Sequence, residues 1–176
     1  MREHTDEALM KAYAEGNMEA FELLYNRHRG PLYRYVLRLV GDATTANDLY
    51  QGSWEKIIKA RESYKTTAPF RAWMYRIAHN HVMDFFRRHR PALELPSGEI
   101  PATGSGPEEQ FVRDSRDVQL LEAIARLPVE QKEVILLKLE SGLGLQAIAD
   151  ITGVNSETAK SRLRYAVKKL KEVLAQ

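Results

Sequence analysis

The cations near the end of the chain are the first residues that could do chemistry. Lys160, Arg164, Lys168 and Lys171 lie at offsets of 0, 4, 8 and 11, so a helix gathers them on one face. Just before them, Gln146-Ala-Ile-Ala-Asp-Ile-Thr-Gly-Val-Asn-Ser-Glu-Thr-Ala-Lys-Ser-Arg-Leu has helix-turn-helix spacing. Ala149 is small enough for two helices to cross closely. Gly153 permits the turn, and Ala159 packs back on the first helix. Asn155 or Ser156 can cap the second helix. In such a motif the first turns of the second helix enter the major groove, and flanking cations bind phosphate. Ser156, Glu157, Thr158, Lys160 and Ser161 are assigned to the groove, with Arg162, Arg164 and Lys168 beside them. Glu157 can accept from cytosine N4, and Lys160 can reach guanine O6 and N7. A solvated, Lys-rich amphipathic helix is the plain alternative. The Ala–Gly–Ala spacing and the one-sided basic row favour DNA.

A second stretch runs from Pro69 to Arg90. Opposite its apolar stripe lie Arg76, Asn80 and Arg87, at offsets of 0, 4 and 11. Tyr64, Tyr75, Phe86 and the Arg87-Arg88-His89-Arg90 cluster are close in sequence. Cations mixed with aromatics and an Asn suit a strand whose bases have left the stack. Phe70, Trp73 and Phe85 read as core.

Other chemistries find no residues. The chain has no cysteine, which removes disulfides, thiolate metal sites and cysteine nucleophiles. It has no phosphate-loop, nucleophile-elbow or H-E-x-x-H motif. His79 and His81 are two apart and diverge on a helix, a poor metal pair. Glu108 and Glu109 are paired carboxylates in a segment with no pocket around them. The expectation is no catalytic residue, no metal, no cofactor and no small-molecule substrate. No run approaches the ~20 apolar residues of a membrane helix. The polar start, Met1-Arg2-Glu3-His4-Thr5-Asp6, argues against a secretory signal, so a cytoplasmic protein without membrane insertion is expected.

Helices must position these residues. The 176-residue chain has a net charge of +2, which conceals three blocks: +4 over 1–90, −4 over 91–115 and +2 over 116–176. Such blocks bear on partners. The acidic block holds four of the seven prolines, shows no periodicity and reads as a flexible linker between two domains. About four helices are expected before it. Asn17 caps one carrying Phe21, Leu24, Tyr25 and His28. Pro31 opens the next, ended by Gly41. Thr45 begins a third, with Leu49, Tyr50, Trp54, Ile57 and Ile58 as its stripe. Pro69 opens the fourth. After the linker, helices are expected from near Val118, from Pro128 to Gly142, around Ala147–Ile151, and from Ser156 to about Leu174. The fold class is all-α, in two helical domains.

The order of these parts resembles the extracytoplasmic-function sigma factors, group IV of the bacterial sigma-70 family. Four local signatures carry the resemblance: Ala20-Phe-Glu-Leu-Leu-Tyr25, Asp48-Leu-Tyr-Gln51, Pro69-Phe-Arg-Ala-Trp-Met-Tyr-Arg-Ile-Ala-His-Asn80, and Leu127-Pro128 leading into the helix-turn-helix. It implies a factor that binds core RNA polymerase and gives it promoter specificity. Residues 1–90 would be a region 2-like domain. Its third helix would hold the polymerase clamp through Asp48, Gln51 and Glu55. Its fourth helix and the preceding loop would recognise and melt the −10 element through Tyr64, Arg71, Tyr75, Arg76, His79, Asn80, Arg87 and Arg88. Residues 116–176 would be a region 4-like domain that reads the −35 element and docks on the polymerase flap. The linker, 91–115, would thread toward the RNA path. Relatives are commonly held by an anti-sigma factor. Two positions depart from the family. Gly52 stands where an acidic residue is usual, and Asn155-Ser156-Glu157 replaces the commoner turn sequence.

The main alternative is a helix-turn-helix regulator that binds duplex DNA without being a polymerase subunit. The aromatic, Arg-rich fourth helix and the acidic linker argue against it.

Overall fold

The computed structural model describes residues 4–89 and 115–175. Eight α-helices and one short 3₁₀ turn account for most of them, and no strand occurs among the described residues. The linker expected over 91–115 lies outside them except for Ser115, which opens a helix.

α1 (Asp6–Ala14) was not anticipated from sequence. Thr5 caps it, accepting from the Ala8 N–H, and it buries Leu9, Met10 and Tyr13. Asp6 binds it to the next helix: its carboxylate lies 2.9 Å from His28 Nε2 and 3.1 Å from Arg27. Chiefly the His28 hydrogen bond, opposed by burial and aided by Arg27, lowers the Asp6 pKa.

α2 (Met18–Val40) corrects an expectation. Pro31 does not begin a new helix but lies inside one helix of 23 residues. A mid-helix proline ordinarily costs about 3 kcal/mol, and its ring crowds the Cβ of the preceding residue. Here the preceding residue is Gly30, which has no Cβ. Leu24 and His28 before the proline and Leu32, Tyr35 and Val36 after it are all buried. Burying both halves on one core outweighs the lost bond. Gly41 ends the helix at φ 87°, the left-handed cap expected there.

α3 (Ala43–Lys59) starts before Thr45. Asp42 is the cap and accepts from the backbone N–H of Thr45, 2.9 Å, and from its hydroxyl, 2.6 Å. The 3₁₀ turn Arg61–Ser63 leads to α4 (Phe70–His89). Phe70, Met74, Ala78 and Val82, each four apart, are buried to 1% exposure or less.

α5 (Ser115–Ala125), α6 (Val129–Ser141), α7 (Leu145–Thr152) and α8 (Ser156–Leu174) form the second unit. Pro128 precedes α6, and Gly142 and Gly153 end α6 and α7 at φ 68° and 73°. Val134, Leu136, Leu137, Ile148, Ala149, Ala159 and Ala166 have no exposed surface. Each full aliphatic burial contributes about 1.5–3 kcal/mol. In α8, Ala159, Ala166 and Leu170 are buried and Leu163 and Val167 half-buried, whereas Leu174 is 41% exposed.

The two units touch. α6 packs on α2, and α4 packs on α6 and α7.

Candidate nucleic-acid interface

α7, its turn and α8 build the motif predicted from sequence. Ala149 and Ala159 are fully buried where the helices cross. Asn155 caps α8, its side-chain oxygen accepting from the Thr158 N–H at 2.8 Å. Ser156 donates to the Gln146 side chain, 3.1 Å away, clipping the two helices together. Glu157 and Lys160 are exposed, whereas Ser156, Thr158, Ser161 and Arg162 are half-buried. Arg164, Lys168 and Lys171 are exposed in one row. The row borders a shallow groove of about 550 Å³ whose apolar floor includes Leu163 and Val167. The dipole of α8 adds positive potential at its N-terminus, beside Glu157 and Lys160.

α3 presents a second face. Asp48, Gln51 and Glu55 are exposed together, opposite buried Leu49, Ser53, Trp54 and Ile57. Gly52 lies between them, and packing explains it. A Cβ placed there would stand 2.4 Å from His81 Nε2. Glycine lets the imidazole of α4 rest directly on α3. Burial, then the nearby Lys56, lowers the His81 pKa against the pull of Asp84.

α4 divides its expected DNA residues in two. Arg76, Asn80, Arg87 and Arg88 are exposed, and Arg87 pairs with Asp84. The other three face the second unit. Arg71 donates to the Ser141 carbonyl at 2.8 Å. Tyr75 is 1% exposed, its hydroxyl 3.5 Å from the Glu140 carbonyl, and burial raises its pKa. His79 is 5% exposed, with Nε2 3.0 Å from Glu133 Oε2. In this arrangement α6 covers Tyr75 and His79. Tyr64 is half-buried against Trp73 and Phe70, at ring distances of 5.0 and 5.9 Å, and donates its hydroxyl to the Ala68 carbonyl. Burial pushes its pKa up to about 12. It shapes the loop before α4 rather than projecting from it.

Sequence reasoning missed Arg34, Arg38, Glu133 and Glu140. Arg34 Nε lies 3.1 Å from Glu140 Oε2, and Arg38 binds the other carboxylate oxygen. The only sequence signal was two arginines four apart on α2, which an exposed helix face would also show. Between α4, α6 and α7 runs a cleft of about 460 Å³, with Met83, Phe86, Val129 and Ile151 as apolar walls and Asn80 and Arg87 at its edge. Among the described residues no group of three or more His, Asp or Glu is placed to hold a metal, and no helix is long and apolar enough to cross a membrane.

Two family models fall on these units. Residues 24–92 match Sigma-70 region 2, and residues 117–170 match Sigma-70, region 4. The ECF RNA polymerase sigma factor SigL of Mycobacterium tuberculosis is 34% identical over 155 residues, 87% of this chain and 88% of SigL. The RNA polymerase sigma factor SigV of Bacillus subtilis is 30% identical over 141 residues, covering 80% of this chain and 82% of SigV. The ECF RNA polymerase sigma factor BldN of Streptomyces coelicolor is 29% identical over 170 residues, and the match spans 94% of this chain but 64% of BldN's length. Among solved structures, CnrH in complex with the cytosolic domain of CnrY shares the fold at a TM-score of 0.70 and 23% identity, covering 97% of each chain. The sigma factor RpoE bound to the anti-sigma factor NepR from Bartonella quintana does so at 0.72 and 24%, covering 88% of this chain and 96% of RpoE. With the two regions in order and their helices in place, the chain belongs to the extracytoplasmic-function sigma factors of the sigma-70 family.

Proposed function

We propose that this chain binds core RNA polymerase and directs it to promoters that carry its own −35 and −10 elements. The observation that carries this reading is the pairing, in one chain, of a capped helix-turn-helix bearing an exposed basic row with a separate region 2 unit whose α3 and α4 present polar faces. In this scheme residues 1–90 hold the polymerase clamp and melt the −10 element, 91–115 connect, and 116–176 read the −35 element and meet the flap. Asp48, Gln51 and Glu55 provide the clamp contact. Arg71, Tyr75, Arg76, His79, Asn80, Arg87 and Arg88 form the −10 face, with Tyr64 setting the loop. Glu157 and Lys160 enter the major groove, with Ser156, Thr158, Ser161 and Arg162 around them. Arg164 and Lys168 bind phosphate. Contacts to unstacked bases offset the few kcal/mol that unpairing costs, and no step consumes a nucleotide. The protein acts in the cytoplasm.

The same reading includes an anti-sigma partner. The two solved relatives are held by CnrY and NepR, and the apolar-walled cleft beside α4 suits an amphipathic helix.

Run-off transcription tests the reading. Purified chain added to core polymerase on fragmented genomic DNA should yield discrete transcripts whose upstream sequences share two elements. Binding of duplex DNA with no polymerase-dependent transcript would favour a conventional helix-turn-helix regulator.

A further inference from the structure

The seam between the two units has a one-sided chemistry. Arg34 and Arg38 of α2 and Arg71 of α4 donate across it. The acceptors are all on α6: both oxygens of Glu140 and the carbonyl of Ser141. The side chain of Glu140 is only 8% exposed. A single carboxylate whose two oxygens each meet a guanidinium has the contact pattern of a phosphodiester with its two free oxygens. Three guanidinium groups of α2 and α4 thus face two α6 carboxylates, Glu140 and, beside His79, Glu133.

The seam is also incompletely satisfied. The Tyr35 hydroxyl and His79 Nδ1 are buried there without a hydrogen-bond partner. Tyr35 is fully buried with Glu133 and Tyr75 close enough to raise its pKa further. Each such group costs free energy that water or another polar partner would recover. A buried ion pair of this kind adds little net stability, because desolvation offsets the attraction.

We infer that Arg34 and Arg38 are nucleic-acid-backbone contacts of the region 2 unit, and that Glu140 occupies their phosphate position while the units are closed. The strip they form with Arg71 continues the −10 face of α4 onto α2. Opening of the units removes the carboxylate and presents the arginines to a promoter strand. The two roles are exclusive, so Glu140 competes with DNA within the chain. This competition rests on the promoter-directing function.

The test uses full-length chain and holoenzyme on a promoter recovered from the run-off pool. Wild-type transcription is measured first; its absence defeats the promoter-directing function itself, whereas the variants bear on the seam alone. In holoenzyme, Arg34→Ala and Arg38→Ala should each reduce the slope of log K against log salt by about 1. Arg34→Lys and Arg38→Lys, which keep the charge, should retain the wild-type slope. Glu140→Gln should leave that slope unchanged. In the free chain it should widen the distance between labels on α1 and α8 and increase core-polymerase affinity about tenfold, the effect of losing one charge-assisted hydrogen bond. Unchanged slopes in both alanine variants would overturn the DNA role. An unchanged label distance and affinity in Glu140→Gln would overturn the competition.

Discussion

Replacing Gly52 with alanine separates two opposing effects that the geometry makes calculable. Alanine in mid-helix is favoured over glycine by about 1 kcal/mol. Against this, the new Cβ would lie 2.4 Å from His81 Nε2, well inside contact distance. Overpacking of this kind costs about 1–3 kcal/mol. Gly52→Ala should therefore be neutral to destabilising by about 2 kcal/mol in the wild-type chain. In a His81→Ala background the obstacle is gone, and the same change should stabilise by about 1 kcal/mol. The coupling expected from the cycle is about 2 kcal/mol. Urea unfolding of the four proteins, followed by far-ultraviolet circular dichroism, measures it. The pH dependence supplies a second readout. Because the folded pKa of His81 is depressed, its contribution is fully present above its ordinary value near 6.5 and is lost as pH falls through the folded pKa. His81→Ala should flatten that part of the stability profile. Equal effects of Gly52→Ala in both backgrounds would refute the packing argument, and the glycine would then need another explanation.

Three further outcomes are expected. Asp6→Asn should destabilise the chain by about 1 kcal/mol at pH 7 through loss of the His28 and Arg27 bonds. Since the folded pKa of Asp6 lies below 3.8, this difference should persist above about pH 4 and vanish as pH falls through the folded value, as acid titration of both proteins will show. Asp48→Ala with Gln51→Ala should weaken core-polymerase binding at least tenfold without lowering the unfolding midpoint, because both side chains are exposed; unchanged affinity in a pull-down titration would remove them from the clamp contact. Arg164→Ala and Lys168→Ala should each lower the salt slope of −35 binding by about 1 while leaving base preference intact. A changed preference in a binding-site selection would mean that they read bases.

The helix-turn-helix was legible in the sequence because its constraints are local. A glycine at positive φ, a capping Asn and two small residues at a crossing are fixed by spacing within one stretch of chain. The same holds for the caps at Asn17 and Gly41. Pro31 was misread because the local rule against mid-helix proline is true, and only burial on both sides of Gly30–Pro31 outweighs it. α1 was missed because it is short and is secured through Asp6 and His28, 22 residues apart, a separation at which periodicity carries no information.

The sequence by itself determined an all-helical chain, a helix-turn-helix with a basic face, and the four signatures that place it in its family. Tertiary structure decided what those faces meet. Gly52 reads from sequence as a departure from the family pattern, and becomes the space for His81 only when α4 lies against it. Arg71, Tyr75 and His79, which the family resemblance groups with Arg76 and Asn80, bond instead to α6. Arg34 and Arg38 acquire a role only when Glu140, far along the chain, comes between them. The physical reason is common to all three. Propensity, capping and periodicity act over a few residues, while desolvation and ion pairing depend on which surfaces the folded chain brings together.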